Sequence, residues 1–273
     1  MQQQSIMDIE EGAMDYTAKE LMVVCAARQI RDNDRVFVGM RLPLIAFALA
    51  KHTHAPNCFG LFEAGVLRDT PAAELLYTMG DAPNLAGALW ATGTLDVLGL
   101  MATGEVDLGF IGGAEVDRYG NLNTSLIGDW EQPKVRLPGS GGGADIASLA
   151  RRLAIILPHE RHRLRARVDF ITSPGYGYPD DTQGSAGTAW RTRQGLPRGG
   201  PAALITTLAV FTFDPASGEA LLQSYHPGSS VAEIQAQTGW PLRLVPDCAE
   251  TLPPSAEELR VIRACDPAGV WTR

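Results

Sequence analysis

A lone carboxylate, Glu63, closes the short apolar run Cys58 to Phe62 and is followed at once by Ala64 and Gly65. Turn formers at Pro56-Asn57 and at Gly65 bound the run, as they do a short buried strand. In an open α/β sheet ligands gather at the carboxyl ends of strands, so a charge at that end faces a crevice rather than the core. Small neighbours let a substrate or another backbone come close to it. The alternative is a strand-end glutamate that turns into solvent.

A second stretch with chemical potential is Pro138-Gly139-Ser140-Gly141-Gly142-Gly143-Ala144. It has the G-x-G-x-x-A form of a dinucleotide fingerprint, but no apolar strand runs into Gly139. No Gly-Lys-Ser/Thr follows, so it is not a phosphate loop of the Walker type either. Five small residues ahead of a helix expose consecutive backbone N–H groups, which suits an oxyanion or a phosphate. A plain tight turn is the alternative.

Other residues carry less. His159-Glu160-Arg161-His162 lacks the spacing of a zinc-binding H-E-x-x-H helix and reads as surface charge. Ser140 lies in no G-x-S-x-G elbow. His52 and His54 end a helix, where a cation suits the macrodipole. No metal site is expected.

These groups need elements to position them. Thr17 and Glu20 form a Thr-x-x-Glu capping box, and Leu21, Val24, Cys25, Ala27 and Ile30 give the helix behind it an apolar stripe. Asp32-Asn33-Asp34 stops that helix. A strand over Arg35 to Met40, a helix over about Pro43 to Lys51 and the strand ending at Glu63 follow, with the spacing of a parallel crossover. Downstream come a helix over Thr94 to Gly104, a strand over Val106 to Ile111, a helix over 144–152 and a strand over Leu153 to Leu157. Val168 to Ile171 and Ala203 to Phe213 read as further strands, Val231 to Thr238 and Ser255 to Cys265 as helices. The expected fold is α/β, an open, mostly parallel sheet with helices on both faces. Residues 111–144 and 173–201 break the pattern, and long loops of that kind are usually functional or mobile. Residues 1–15 read as a flexible lead-in to a single domain spanning 1–273.

The composition removes several classes. The 273 residues carry a net charge of −8 and a pI near 5.1, which argues against nucleic acid as a partner. No run approaches the roughly 20 apolar residues of a membrane span. The polar, acidic start is not a signal peptide, so a cytoplasmic location is expected. Cys25, Cys58, Cys248 and Cys265 form no CxxC pair and read as reduced packing residues.

Several stretches, in order, resemble the β-subunit of class I coenzyme A transferases, in its glutaconate CoA-transferase branch. They are Gly39-Met40-Arg41-Leu42-Pro43-Leu44-Ile45, the segment Ala55 to Asp69, Phe110 to Asn123 (FIGGAEVDRYGNLN), Ile127 to Gly143 (IGDWEQPKVRLPGSGGG), Ser173-Pro174-Gly175, and Ile262 to Pro267. Glu63-Ala64-Gly65 stands where that family has Glu-Ser-Gly or Glu-Asn-Gly.

The resemblance implies the coenzyme A transferase fold and a nucleophilic Glu63, with Ala64 and Gly65 beside it. Gly139, Ser140, Gly141, Gly142 and Gly143 would line the site near the thioester, and Gly112, Gly113 and Asn121 would shape the crevice. It further implies no tightly bound cofactor, with a coenzyme A thioester as substrate and a carboxylic acid, such as the dicarboxylate glutaconate, as acceptor. Transfer would run through a glutamyl-CoA thioester. A separate α-subunit would complete the site in a heterotetramer or larger assembly. The same scaffold also carries a steroid-ring-fragment hydrolase, which cleaves a C–C bond, and a methylglutaconyl-CoA decarboxylase. Such divergent chemistry, or a non-catalytic partner role, are the competing expectations. Ala64 and the 176–200 segment depart from the family pattern and bear on acyl specificity.

Overall fold

The computed structural model describes residues 15–179, 185–196 and 198–273. Helix α1 (Ala18–Ala27) starts at Thr17 with both halves of the expected capping box: Thr17 Oγ1 accepts from the Glu20 N–H at 3.0 Å, and the Thr17 N–H donates to Glu20 at 2.8 Å. The lead-in expected over residues 1–15 lies, except for Asp15, outside the described residues. Strand β1 (Arg35–Phe37), helix α2 (Leu42–His52) and strand β2 (Phe59–Phe62) then make the crossover, with β1 and β2 parallel and Val36 opposite Gly60.

Beyond Glu63 the chain doubles back. Strand β3 (Val66–Arg68) runs antiparallel to β2, and β4 (Trp90–Ala91), reached past the single turn α3 (Ala82–Leu85), runs antiparallel to β3. Helix α4 (Thr94–Ala102) leads to β5 (Leu108–Ile111). Four short strands follow: β6 (Glu115–Asp117), β7 (Leu122–Asn123), β8 (Leu126–Gly128) and β9 (Pro133–Arg136). Helix α5 (Gly143–Leu149), β10 (Leu153–Ile156), β11 (Leu164–Arg165) and α6 (Gly187–Arg193) come next. The last part holds β12 (Pro201–Ile205), β13 (Ala209–Phe213), β14 (Ala220–Tyr225), α7 (Val231–Gln237), β15 (Arg243–Glu250) and α8 (Ala256–Cys265).

The main sheet has ten strands in the order β15-β14-β13-β12-β10-β5-β1-β2-β3-β4. Its centre, β12-β10-β5-β1-β2, is parallel throughout, and antiparallel hairpins extend it on both sides. Side chains alternate along the central strands. Val36 and Val38 pack with α1, α2 and α8 on one face, whereas Phe37 packs with Val97 and Met101 of α4 and Ile146 of α5 on the other. Burial on both faces is why these strands read as continuous apolar runs. Among the described residues no helix is long and apolar enough to cross a membrane.

Four expectations need correction. Val168 to Ile171 is not a strand, because Asp169 is used elsewhere: its N–H donates to Glu115 at 3.0 Å and its carboxylate accepts from the Gly128 N–H at 2.8 Å. Ala203 to Phe213 does not form one strand. The Thr206 hydroxyl captures the Ala209 N–H at 3.0 Å, and β12 and β13 form a hairpin around it. The 173–201 stretch contains α6, pinned by a buried arginine: the Arg191 guanidinium donates to the carbonyls of Gly175 (2.7 Å), Ala147 (3.0 Å) and Arg198 (2.9 Å).

The fourth is His159, which is buried rather than part of a charged surface; Thr206 and Thr238 hold its two ring nitrogens at 2.8 and 3.1 Å. His226 is buried nearby on Thr251 and the Thr206 carbonyl. Burial pushes both imidazoles down from about 6.5 to about 4. Their folded pKa lies below the unfolded one, so the stability they protect is complete above pH 6.5 and is lost as pH falls towards 4. The loss is about 3 kcal/mol for each histidine. Urea unfolding at pH 7 and pH 4.5 should show this fall, and His159→Gln or His226→Gln should flatten it. An unchanged pH slope in both variants would contradict the assignment.

Candidate active site

Parallel strands bring their carboxyl ends to one edge. Gly39 to Arg41 follow β1, Glu63 follows β2, Gly112 and Gly113 follow β5, and Leu157 and Pro158 follow β10. Residues from all four ends line one cleft of about 800 Å³. The glycine loop closes it: Ser140, Gly141, Gly142 and Gly143 are on its wall.

Glu63 owes its position to a three-residue turn. Gly65 donates its N–H to the Phe62 carbonyl at 2.9 Å and accepts from the Thr92 N–H at 2.7 Å. It has φ +96°, and a Cβ there would lie 2.1 Å from the Thr92 oxygen, so no other residue fits. The turn leaves the Glu63 side chain half-buried and Ala64 exposed. A second hollow of about 460 Å³ opens on Glu63 and Ala64 from the side of Met79 and Thr94.

The loop is folded so that one amide reaches the carboxylate. The Gly139 N–H donates to the Thr124 carbonyl and the Gly143 N–H to the Ser140 carbonyl, both at 2.8 Å. The Gly142 N–H is left to donate to Glu63 Oε1 at 3.2 Å. A Cβ on Gly142 would stand 3.1 Å from that oxygen. Gly143 is equally confined, since a Cβ there would meet Ile111 Cδ1 at 2.9 Å and the buried Ser173 Oγ at 3.2 Å. The arrangement presents one carboxylate whose Oε1 is held by a backbone donor, beside an open cleft.

Not every expected residue joins it. Gly112 and Gly113 do line the cleft, and Gly139 stands behind its wall on Thr124. Asn121 is fully buried and faces its own loop. Its amide nitrogen donates to Asp117 and its oxygen accepts from the N–H groups of Gly175 (2.9 Å) and Gly177 (3.1 Å). Expected at the crevice, it instead braces the 175–177 turn. Burial raises the Asp117 carboxyl beneath it to about 6. A larger cleft, about 960 Å³, runs between α2, α8 and residues 70–76 and contains none of these residues.

Arg41 and Trp271 are among the further residues that line the Glu63 cleft without having been expected there. Arg41 has φ 66° and ψ −117°. For a residue with a side chain that conformation costs about 1–3 kcal/mol. Its guanidinium carbon sits 5.5 Å from the Trp271 ring centroid. The carboxylate of Asp266 holds the 270–272 amides, at 2.7 Å to Val270 and 2.8 Å to Trp271. Nothing in the order of residues advertises either placement.

A sequence profile of the family described as coenzyme A transferase matches residues 19–237. The β-subunit of the 3-oxoadipate CoA-transferase of Pseudomonas knackmussii is 36% identical over 252 residues, 92% of this chain and 94% of that one. The crystal structure of glutaconate coenzyme A-transferase from Acidaminococcus fermentans superposes with a TM-score of 0.85 at 31% identity, over 95% of this chain and 99% of that one. The decarboxylase AibA/AibB superposes at 0.78 with 30% identity, over 94% and 97%.

The Gly142 contact generates a direct test. Gly142 has φ −77°, open to alanine, so Gly142→Ala should fold with a melting temperature within about 3 °C of wild type. The added methyl should displace the Glu63 carboxylate and slow any reaction that runs through it by about 10²-fold. Full activity in the folded variant would reduce the loop to a simple turn.

Proposed function

We propose that this chain, which belongs to the coenzyme A transferase family as a β-subunit, carries in Glu63 the group that accepts coenzyme A during transfer from an acyl-CoA to a free carboxylic acid. The observation that supports this role is the Glu63 carboxylate at a strand end, one oxygen held by the Gly142 N–H and the cleft open beside it.

The chemistry follows from that geometry. A carboxylate oxygen attacks the thioester carbonyl, the C–S bond breaks, and an acyl-glutamyl anhydride and CoA thiolate remain. The thiolate attacks the glutamyl carbonyl, releasing the first acid as its carboxylate and leaving a glutamyl-CoA thioester. The acceptor acid then reverses the two steps. When the glutamyl carbon becomes tetrahedral its oxygen gains charge, and a backbone donor already on that oxygen stabilises it. Remote binding of the CoA arm offsets the cost of reaching the anhydride, and exclusion of water from the assembled site limits its hydrolysis.

A dicarboxylic acid is the substrate class that the names of the 3-oxoadipate and glutaconate relatives suggest. The partner is the α-subunit of the same enzyme. Tyr77, Leu85, Leu89, Trp90 and Leu95 expose large apolar surface, Leu95 as much as 84%, on the stretch that packs behind the Glu63 hairpin. Exposed clusters of this kind mark interaction sites. We place the α-subunit on this surface, where it would complete the hollow beside Ala64.

Steady-state kinetics of the αβ complex test the proposal. Double-reciprocal plots should be parallel, the signature of a ping-pong reaction. Glu63→Gln should lower transfer by orders of magnitude, and this chain without its α-subunit should be inactive. Wild-type rates in Glu63→Gln would refute the role of Glu63. Turnover of acyl-CoA without any acceptor acid would instead place the chain with the hydrolases or decarboxylases of this scaffold.

A further inference from the structure

Among the described residues with side chains, a positive φ occurs only at Asn33 and Arg41. Asn33 lies in an exposed turn, and asparagine tolerates the left-handed region. Arg41 does not have that excuse. Its ψ of −117° lies outside the left-handed well, and a glycine would occupy the position without strain. Strain of this kind persists where the side chain has a task.

The side chain stands free to perform one. Three basic residues line the Glu63 cleft among the described residues: Lys19, Arg41 and Arg163. Lys19 is spent on the backbone oxygen of Arg273, and Arg163 on Glu160 at 2.6 Å. Arg41 caps no helix amide, and no carboxylate or hydrogen-bond acceptor among the described residues engages it. It rests against Trp271, which is itself fixed by the Asp266 carboxylate and by its indole N–H on the Leu76 carbonyl at 3.2 Å. A guanidinium on an aromatic face keeps its N–H edge available for an oxyanion. Among the described residues the only acidic one on the same cleft wall is Glu63, the group reserved for chemistry.

We propose that Arg41 binds an anionic group of the substrate remote from the reacting carbonyl carbon, either the second carboxylate of a dicarboxylic acid or a phosphate of coenzyme A. The inference deepens the transferase reading, since it names a residue that selects that enzyme's substrates. It makes Arg41 a specificity residue: its side chain contributes binding, and its strained backbone is the cost of aiming it into the cleft.

Equilibrium binding to the αβ complex tests this, with Glu63→Gln in every sample so that no covalent step intervenes. The probes are glutarate, pentanoate, coenzyme A and pantetheine, the last lacking the coenzyme's phosphates. Arg41→Gly should melt no lower than its parent, because glycine accepts the backbone. It should weaken one charged probe about 10- to 100-fold, as expected for a lost charge-assisted pair. Loss for glutarate but not pentanoate assigns the carboxylate; loss for coenzyme A but not pantetheine assigns the phosphate-bearing nucleotide end of the coenzyme. Arg41→Lys, with charge but no planar fork, should retain part of the affinity. Unchanged binding of all four probes overturns the proposal, and so does an equal loss for all four with a lower melting temperature. The binding readout is separate from the catalytic one. Wild-type transfer by Glu63→Gln would defeat the function proposed for Glu63 and leave the Arg41 result standing.

Discussion

The approach of the Gly142 amide to the Glu63 carboxylate is the constraint around which this structure is arranged. At 3.2 Å the contact is so close that a Cβ on Gly142 would lie 3.1 Å from the same oxygen, and the carboxylate would have to shift to admit it. Both partners are held from behind. The Glu63 turn is locked by Gly65 against Thr92, and the loop is locked by Gly139 on Thr124 and Gly143 on Ser140. Two rigid turns from residues almost eighty apart thus bring a carboxylate and a neutral donor together. A salt bridge there would hold Glu63 more firmly but lower its reactivity, because an ion pair favours the resting carboxylate.

The parallel centre of the sheet positions the Glu63 side of that meeting. Strands β1, β2, β5 and β10 deliver their carboxyl ends to one edge, where Gly39, Glu63, Gly112 and Gly113 from the first three meet Leu157 and Pro158 from the fourth. Helices on both faces keep the edge stiff. The pattern matches the rule that open α/β sheets bind ligands beyond their strand ends. The turns hold the Glu63 carboxylate and the Gly142 amide, and the sheet supplies the registration of the strand ends.

Much of this was legible in the residues. Cys58 to Phe62 announced a strand by its apolar run, and the spacing from Arg35 fixed its parallel pairing with β1. The capping box at Thr17 marked the start of α1, and the helix expected over Ser255 to Cys265 is present as α8. Other features left no signal. The hairpin after Glu63 uses strands of three and two residues, too short to show alternation. Asn121 lies in a signature loop, but a polar residue there reads the same whether it meets a ligand or the amides of Gly175 and Gly177. Val168 to Ile171 has strand composition, and only the tertiary demand of Glu115 and Gly128 on Asp169 keeps it irregular. The burial of Arg191 is set by the carbonyls of Gly175 and Ala147, which no local pattern encodes.

If Glu63 is the acceptor of coenzyme A, its carboxylate itself becomes joined to the coenzyme as a thioester. The most direct measurement is peptide mass spectrometry on the αβ complex incubated with acyl-CoA, in the absence of acceptor acid, and then treated with borohydride. A thioester is reduced by borohydride and a carboxylate is not. The peptide containing Phe62-Glu63-Ala64 should carry the reduced side chain only when acyl-CoA was present, with loss of activity in proportion. Full loss of thioester from the solution with an unmodified Glu63 peptide would contradict it.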